Sequence, residues 1–166
     1  MKHQIRKGLH QKLFSSQPHL LSSSKSWKSV RLGQIVDINK GQQLNRLDQT
    51  FPGAYPVLNG GTEPLGYTDK WNTEKNTITI SEGGNSCGFV NFNIERFWCG
   101  GHCYKLDEDA AEVHKLYLFQ YLKYMQTSIM RLRVGSGLPN IQKKMLAQFE
   151  VLLPSCLLYT SDAADE

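Results

Sequence analysis

The stretch from Asn76 to Leu106, NTITISEGGNSCGFVNFNIERFWCGGHCYKL, decides how this chain folds. Thr77, Ile78, Thr79 and Ile80 form a run of β-branched residues with the pattern of a half-buried strand. Glu82-Gly83-Gly84-Asn85 then breaks the strand, because Gly and Asn accept the backbone angles of a tight reversal. A second strand is expected from Cys87 to Phe92 and a third between Phe97 and Leu106, giving a β-meander whose turns carry polar side chains on a stiff base. Nothing in the stretch has the makeup of an active site.

Upstream, WKSVRLGQIVDI (27–38) holds an apolar set of Trp27, Val30, Leu32, Ile35, Val36 and Ile38. That spacing predicts a strand, a short helical turn over 32–36, then a second strand. Lys40-Gly41-Gln42-Gln43 follows as a polar loop. Tyr55 to Leu58 reads as a short strand that ends in Asn59-Gly60-Gly61, and Gly66-Tyr67-Thr68-Asp69 as a loop before the meander.

Downstream, Asp107-Glu108-Asp109 places acids where a helix would start, favourable against its dipole. From 110 to about 132 the apolar residues recur at helical spacing in a wide stripe, predicting one long helix docked on the sheet. Gly135-Ser136-Gly137 stops it. Asn140 is then the expected N-cap of a short helix through 141–147, and Phe149 to Leu153 reads as the last strand. The fold class is therefore α+β: a small, twisted, mostly antiparallel sheet with one long docked helix and a short C-terminal one.

The two ends differ from this body. Ile5, Leu9, Leu13 and Phe14 mark the end of an amphipathic helix, and 15–26 is a Ser-rich linker containing Pro18. The last eleven residues, CLLYTSDAADE, continue no element and resemble a translated sequencing-library adapter, so they are set aside. Without their three acids the net charge of +4 becomes +7. The division expected is thus 1–26 helix end and linker, 27–155 one domain, and 156–166 a non-native tail.

Charge is uneven. Residues 1–36 hold seven Lys or Arg and no acid; 37–155 hold twelve of each; within them 113–149 hold six basic residues and no acid. Such flanks attract polyanions, though a charge run is also an ordinary solvated face. No run of about 18 apolar residues is present, so no membrane partner is expected. Cys87, Cys99, Cys103 and Cys156 lack the spacing of a disulfide framework and fit a reducing cytoplasm.

Catalytic and cofactor motifs are missing. There is no phosphate loop of either glycine-rich type and no G-x-S-x-G elbow. There is also no N-P-P-Y motif of the kind that handles a flipped adenine. Cys99-x3-Cys103 with His102 is not a standard zinc spacing, and on an alternating strand His102 points away from the two thiols. No cofactor and no metal are expected. Recognition remains. Gln42, Gln43, Arg46, Asn59, Asn85, Arg131, Arg133, Ser136, Asn140, Lys143 and Lys144 all fall in predicted loops or at helix ends. Arg suits the guanine O6/N7 edge, Asn and Gln suit adenine, and Lys and Ser suit phosphates.

Taken in order, these segments resemble the target-recognition domain of type I restriction–modification specificity (S) subunits. The carriers are Trp27 with Leu32-Gly33-Gln34-Ile35-Val36 and Lys40-Gly41, Tyr55-Pro56-Val57-Leu58-Asn59-Gly60, Gly66-Tyr67, and Thr77-Ile78-Thr79-Ile80. Cys87-Gly88-Phe89-Val90, Phe97-Trp98, the helix over 116–132, Gly135-Ser136-Gly137-Leu138-Pro139-Asn140-Ile141 and Phe149-Glu150-Val151-Leu152-Leu153-Pro154-Ser155 complete the set. Lys7 to Phe14 resembles the end of the spacer helix before a second recognition domain. The resemblance implies a non-catalytic fragment that reads one half of a bipartite double-stranded DNA site. It also implies methyltransferase (M) partner subunits, which use S-adenosylmethionine, and restriction (R) subunits, which use ATP, with neither cofactor bound here. A protein–protein adaptor that reads no bases, and a Cys/His metal-binding β-domain, are the other readings the residues permit.

Overall fold

The structure, a computed structural model, describes residues 27–50, 52–107 and 113–154. The expected N-terminal helix and linker, the acids Glu108 and Asp109, and the C-terminal tail lie outside these residues. Among the described residues nine strands form three sheets. Strands β1 (Trp27–Arg31) and β9 (Glu150–Pro154) pair antiparallel, so the two ends of the domain close on each other. The largest sheet contains β2 (Asp37–Lys40), β5 (Thr77–Ser81), β6 (Val90–Asn93) and β8 (Cys103–Asp107) in the order β2-β8-β5-β6, antiparallel throughout. The third joins β3 (Tyr55–Leu58), β4 (Gly66–Thr68) and β7 (Trp98–Cys99) in the order β4-β3-β7, with β3 and β7 parallel.

The α+β class holds, and so does the strand–turn–strand reading of 27–38, with a 3-10 turn at Leu32–Gln34. The meander does not. β5 and β6 make a hairpin, but the chain then leaves the sheet to place β7 beside β3 before β8 returns on the other side of β5. Strand β5 is consequently central and buried at all five positions rather than half-buried. Ile78 and Ile80 enter the main core, while Asn93 Nδ2 donates to Thr79 Oγ1 at 3.0 Å and Thr77 Oγ1 donates to the Glu74 carbonyl at 2.8 Å. Threonine suits this strand because its hydroxyl can be satisfied where burial removes water. Gly66-Tyr67-Thr68, expected as a loop, is the edge strand β4, held by Val57 and Tyr55 across the pair.

The long helix divides. Helix α1 (Lys115–Tyr124) ends at Met125, whose φ of −82° and ψ of 6° leave the helical region, and α2 (Gln126–Met130) begins after it. A tertiary bond holds the break: Gln126 Oε1 accepts the Val90 N–H at 2.9 Å, next to the Lys123 ammonium at 3.0 Å. Burial lowers the Lys123 pKa, and its ammonium answers by donating to the Val90 carbonyl at 2.6 Å. Helix α1 starts at Lys115, has no acid in its first turn and is capped at His114 without a side-chain bond, while residues 108–112, where the acidic start is expected, lie outside the described residues. The last helix, α3 (Lys143–Ala147), is capped at Gln142; Asn140 instead forms bridges with Gly83 and Val134. The main core packs Leu118, Tyr121, Leu122 and Ile129 from the helices against Ile38, Ile78, Ile80 and Leu106 from the sheet. Among the described residues no helix is long and apolar enough to cross a membrane.

The turn expected at 82–85 continues through Gly88 under α2, so the second strand begins at Val90 rather than at Cys87. Gly88 has φ of +86°, and a Cβ there would lie 2.8 Å from Met130 Cα. Both the left-handed angle and the contact exclude a side chain. Gly88→Ala is expected to lower the unfolding free energy by roughly 2–4 kcal/mol, read as a shifted urea midpoint; an unchanged midpoint contradicts this packing.

Candidate nucleic-acid interface

Five segments meet at one rim of the molecule: the exits of β2, β3 and β5, the turn between β7 and β8, and the segment from Arg133 to Ile141. Their backbones are bonded together. Gly41 N–H donates to the Cys103 carbonyl at 2.9 Å and Gln42 N–H to the Cys99 carbonyl at 2.9 Å. Gly100 N–H donates to the Leu58 carbonyl at 2.8 Å, and His102 N–H to Asn59 Oδ1 at 3.0 Å. Glu82 N–H donates to the His102 carbonyl at 2.9 Å, Ile141 N–H to the Glu82 carbonyl at 2.8 Å, and Gly84 N–H to the Pro139 carbonyl at 3.0 Å. A Cβ at Gly41 would lie 2.3 Å from the Gly100 carbonyl oxygen, so only glycine lets the β2 exit come this close to the β7–β8 turn.

Glu82 sits at the centre of this rim. Its carboxylate side chain is 13% exposed and meets Lys40 Nζ at 2.6 Å and His102 Nδ1 at 3.4 Å, while those two partners are 50% and 64% exposed. The acid therefore faces inward and the nitrogen-bearing side chains face out. Exposed ion pairs add little to stability; here the arrangement fixes where the Lys40 and His102 side chains stand. Tyr104, beneath the rim, donates its hydroxyl to the Ile141 carbonyl at 3.0 Å. Burial first, and then the nearby Glu82 carboxylate, push its phenol up to about 12.

The structure brings Gln42, Gln43, Asn59, Asn85, Ser136 and Asn140 to this rim. Gln42 and Gln43 are exposed, although the Gln42 carbonyl is used by Trp98 Nε1 at 2.8 Å and the Gln43 amide donates to the Leu44 carbonyl at 3.3 Å. Asn59 is half-buried and its oxygen is engaged by His102, so it braces the turn. Asn85, Ser136 and Asn140 are exposed. Arg133 is exposed beside the rim, close enough for its charge to act on the Cys87 thiol. Arg131 caps α2, and Lys143 and Lys144 open α3; all three are exposed and border the same segment. Arg46 lies apart. Its 3-10 turn, Arg46–Asp48, packs toward β4, where Thr68 Oγ1 donates to the Asp48 carbonyl at 2.8 Å, and its side chain lies outside the described residues.

Lys40, Glu82 and His102 are not among the recognition residues read from the sequence. They are 42 and 20 positions apart in the chain and only the sheet unites them, so no local spacing announces the set. The thiols behave differently. Cys99 and Cys103 are buried, and their mutual hydrogen bonding, then burial, pushes the Cys99 thiol far up, away from a thiolate ligand. Among the described residues no group of three or more His, Cys, Asp or Glu could hold a metal.

A domain closed by β1 and β9, with loops of five segments gathered on one rim and amide and cationic side chains turned outward, has the form of a recognition module. The chain belongs to the type I restriction modification DNA specificity domain family, whose model matches residues 24–156. It is 33% identical over 132 residues to the Mycoplasma genitalium protein named type I specificity subunit S.MgeORF438P, covering 79% of this chain and 34% of that protein. The crystal structure of a type I restriction–modification S subunit from M. genitalium aligns with a TM-score of 0.74 at 32% identity, over 78% of this chain and 34% of that one. The HsdS subunit of Thermoanaerobacter tengcongensis shares the fold, with a TM-score of 0.61 at 18% identity over 92% of this chain and 43% of that one. The chain spans about a third of the length of the curated relatives it matches.

The raised Tyr104 pKa makes a prediction about the rim. A solvated phenol ionises near 10, whereas the folded protein holds this proton to about 12. The stability it contributes, roughly 2–3 kcal/mol, is present below pH 10 and lost as pH rises toward 12. In an alkaline absorbance titration at constant fold, Tyr104→Phe should remove one ionisation near pH 12; removal of one near 10 instead would contradict the buried hydroxyl.

Proposed function

We propose that this rim reads one half of a bipartite duplex DNA target as the recognition domain, residues 27–155, of a type I specificity subunit. The domain performs no chemistry itself. It positions a methyltransferase subunit for adenine methylation, and through the assembled complex a restriction subunit, and binds neither S-adenosylmethionine nor ATP on its own account.

The observation that carries this reading is the rim's construction: backbone bonds join its five segments, leaving Gln42, Asn85, Ser136 and Asn140 exposed. Amide side chains on such a base suit the adenine edge, and bidentate Arg suits guanine. Arg131, Lys143 and Lys144, bordering the rim, fall in a stretch of six basic residues without an acid, which suits phosphate contact, while Arg133 beside the rim suits a base edge. Family membership supports the same conclusion.

Duplexes enriched from a random pool by the full chain provide the probe. Lys143→Ala should weaken all duplexes about equally and reduce the slope of log affinity against log salt by about 1. Arg133→Ala or Asn140→Ala should instead cost about 1–3 kcal/mol on the enriched duplex and relax the base preference at one position. If all three variants bind as the wild type does, the rim is not the reading surface.

A further inference from the structure

Leu138 is 86% exposed at the tip of the segment from Arg133 to Ile141. An aliphatic side chain in water gains nothing where it stands, and a polar residue would serve a solvated loop better. The tip is nevertheless held firmly. Val134 and Asn140 exchange both backbone bonds, at 2.8 and 3.0 Å, closing the base of the loop. The Pro139 carbonyl accepts from Gly84, and Ile141 is fully buried, with its N–H on Glu82 and its carbonyl under the Tyr104 hydroxyl. A leucine is thus presented on a braced base.

Its neighbours along the chain are cationic. Arg131 and Arg133 precede the tip, and Lys143 and Lys144 follow it, all exposed, with no acid between 113 and 149. Leu47 is more exposed still, at 97%, but adjoins Asp48, which is paired with Lys70 at 2.9 Å in a neutral setting. Among the described residues Leu138 is the most exposed apolar side chain of the basic stretch 113–149, ahead of Val134 and Met145, and it alone of these three stands at the loop tip. Proteins that kink DNA combine these two features: cations hold the phosphates while a rigid aliphatic side chain enters the base stack.

We propose that Leu138 is a wedge that inserts between two base pairs of the DNA held by the rim, unstacking that step and bending the duplex. The proposal rests on the DNA-reading function above and adds a second mode of selection. The energy of unstacking is lowest at flexible pyrimidine–purine steps, so the domain prefers such a step at a position no side chain reads by hydrogen bonding.

The test uses the full chain and duplexes it enriches from a random pool at low salt. The enriched duplex carries 2-aminopurine at successive positions, and a donor and acceptor dye at its two ends. Wild-type protein should raise 2-aminopurine fluorescence several-fold at one step and shorten the end-to-end distance. Leu138→Ala should abolish both while leaving the salt slope unchanged, and Leu138→Met, which keeps an aliphatic tip, should retain both. A wild-type complex without the fluorescence rise, or a rise that survives Leu138→Ala, overturns the wedge while the DNA reading stands. A change of base preference at one position with an unaltered bend also overturns it, in favour of groove contact. If no duplex is enriched at all, the DNA reading fails and the wedge with it.

Discussion

The rim depends on Glu82. Its N–H reaches the β7–β8 turn at His102, its carbonyl takes the Ile141 N–H and the Cys87 thiol, and its carboxylate takes Lys40 and His102. One residue therefore ties the ends of β2 and β5, the following hairpin turn, the β7–β8 turn and the segment from Arg133 to Ile141. A largely buried carboxylate is tolerated there because the Lys40 ammonium and a ring nitrogen of His102 meet it, and a network satisfied in this way is stiffer than its separate bonds. Beneath it, the all-antiparallel sheet and the docked helices α1 and α2 supply the apolar support.

Most bonds that assemble the rim run through the backbone. The exceptions include Asn59, which braces the β7–β8 turn, Tyr104, which supports Ile141, Trp98, which holds the Gln42 carbonyl, and the Glu82 carboxylate with Lys40 and His102. Side chains such as Gln42, Asn85, Ser136 and Lys144 hold none of these joints. Their identities can change without disturbing the geometry that presents them, in keeping with loops that carry function on a rigid scaffold. On the reading proposed, a change of target needs new side chains and no new fold.

Much of the architecture was legible in the residues. The run TITI marks β5, YPVL marks β3, and FEVLL anticipates β9 within one residue, because short-range patterns of β-branched and apolar residues create these strands. What escaped depends on partners distant in sequence. Met125 interrupts the helix because Gln126 is recruited by Val90, 36 positions away. Gly66-Tyr67-Thr68 carries turn-like chemistry and becomes a strand only because β3 offers an edge. Asn140 has the chemistry of a cap but is drawn into bridges with Gly83 and Val134, leaving Gln142 at the helix start. The recognition residues could be gathered as a class from their loop positions, whereas Lys40, Glu82 and His102 meet only through strand register.

The central claim, that this rim selects half of a DNA target, is tested most directly by grafting. Residues 27–154 replace one recognition domain of a working type I specificity subunit, co-expressed with its methyltransferase, and methylated adenines are mapped across the genome. The account predicts a bipartite motif with one half unchanged and the other new. An assembled, folded chimera that methylates the parental motif, or none, would contradict it.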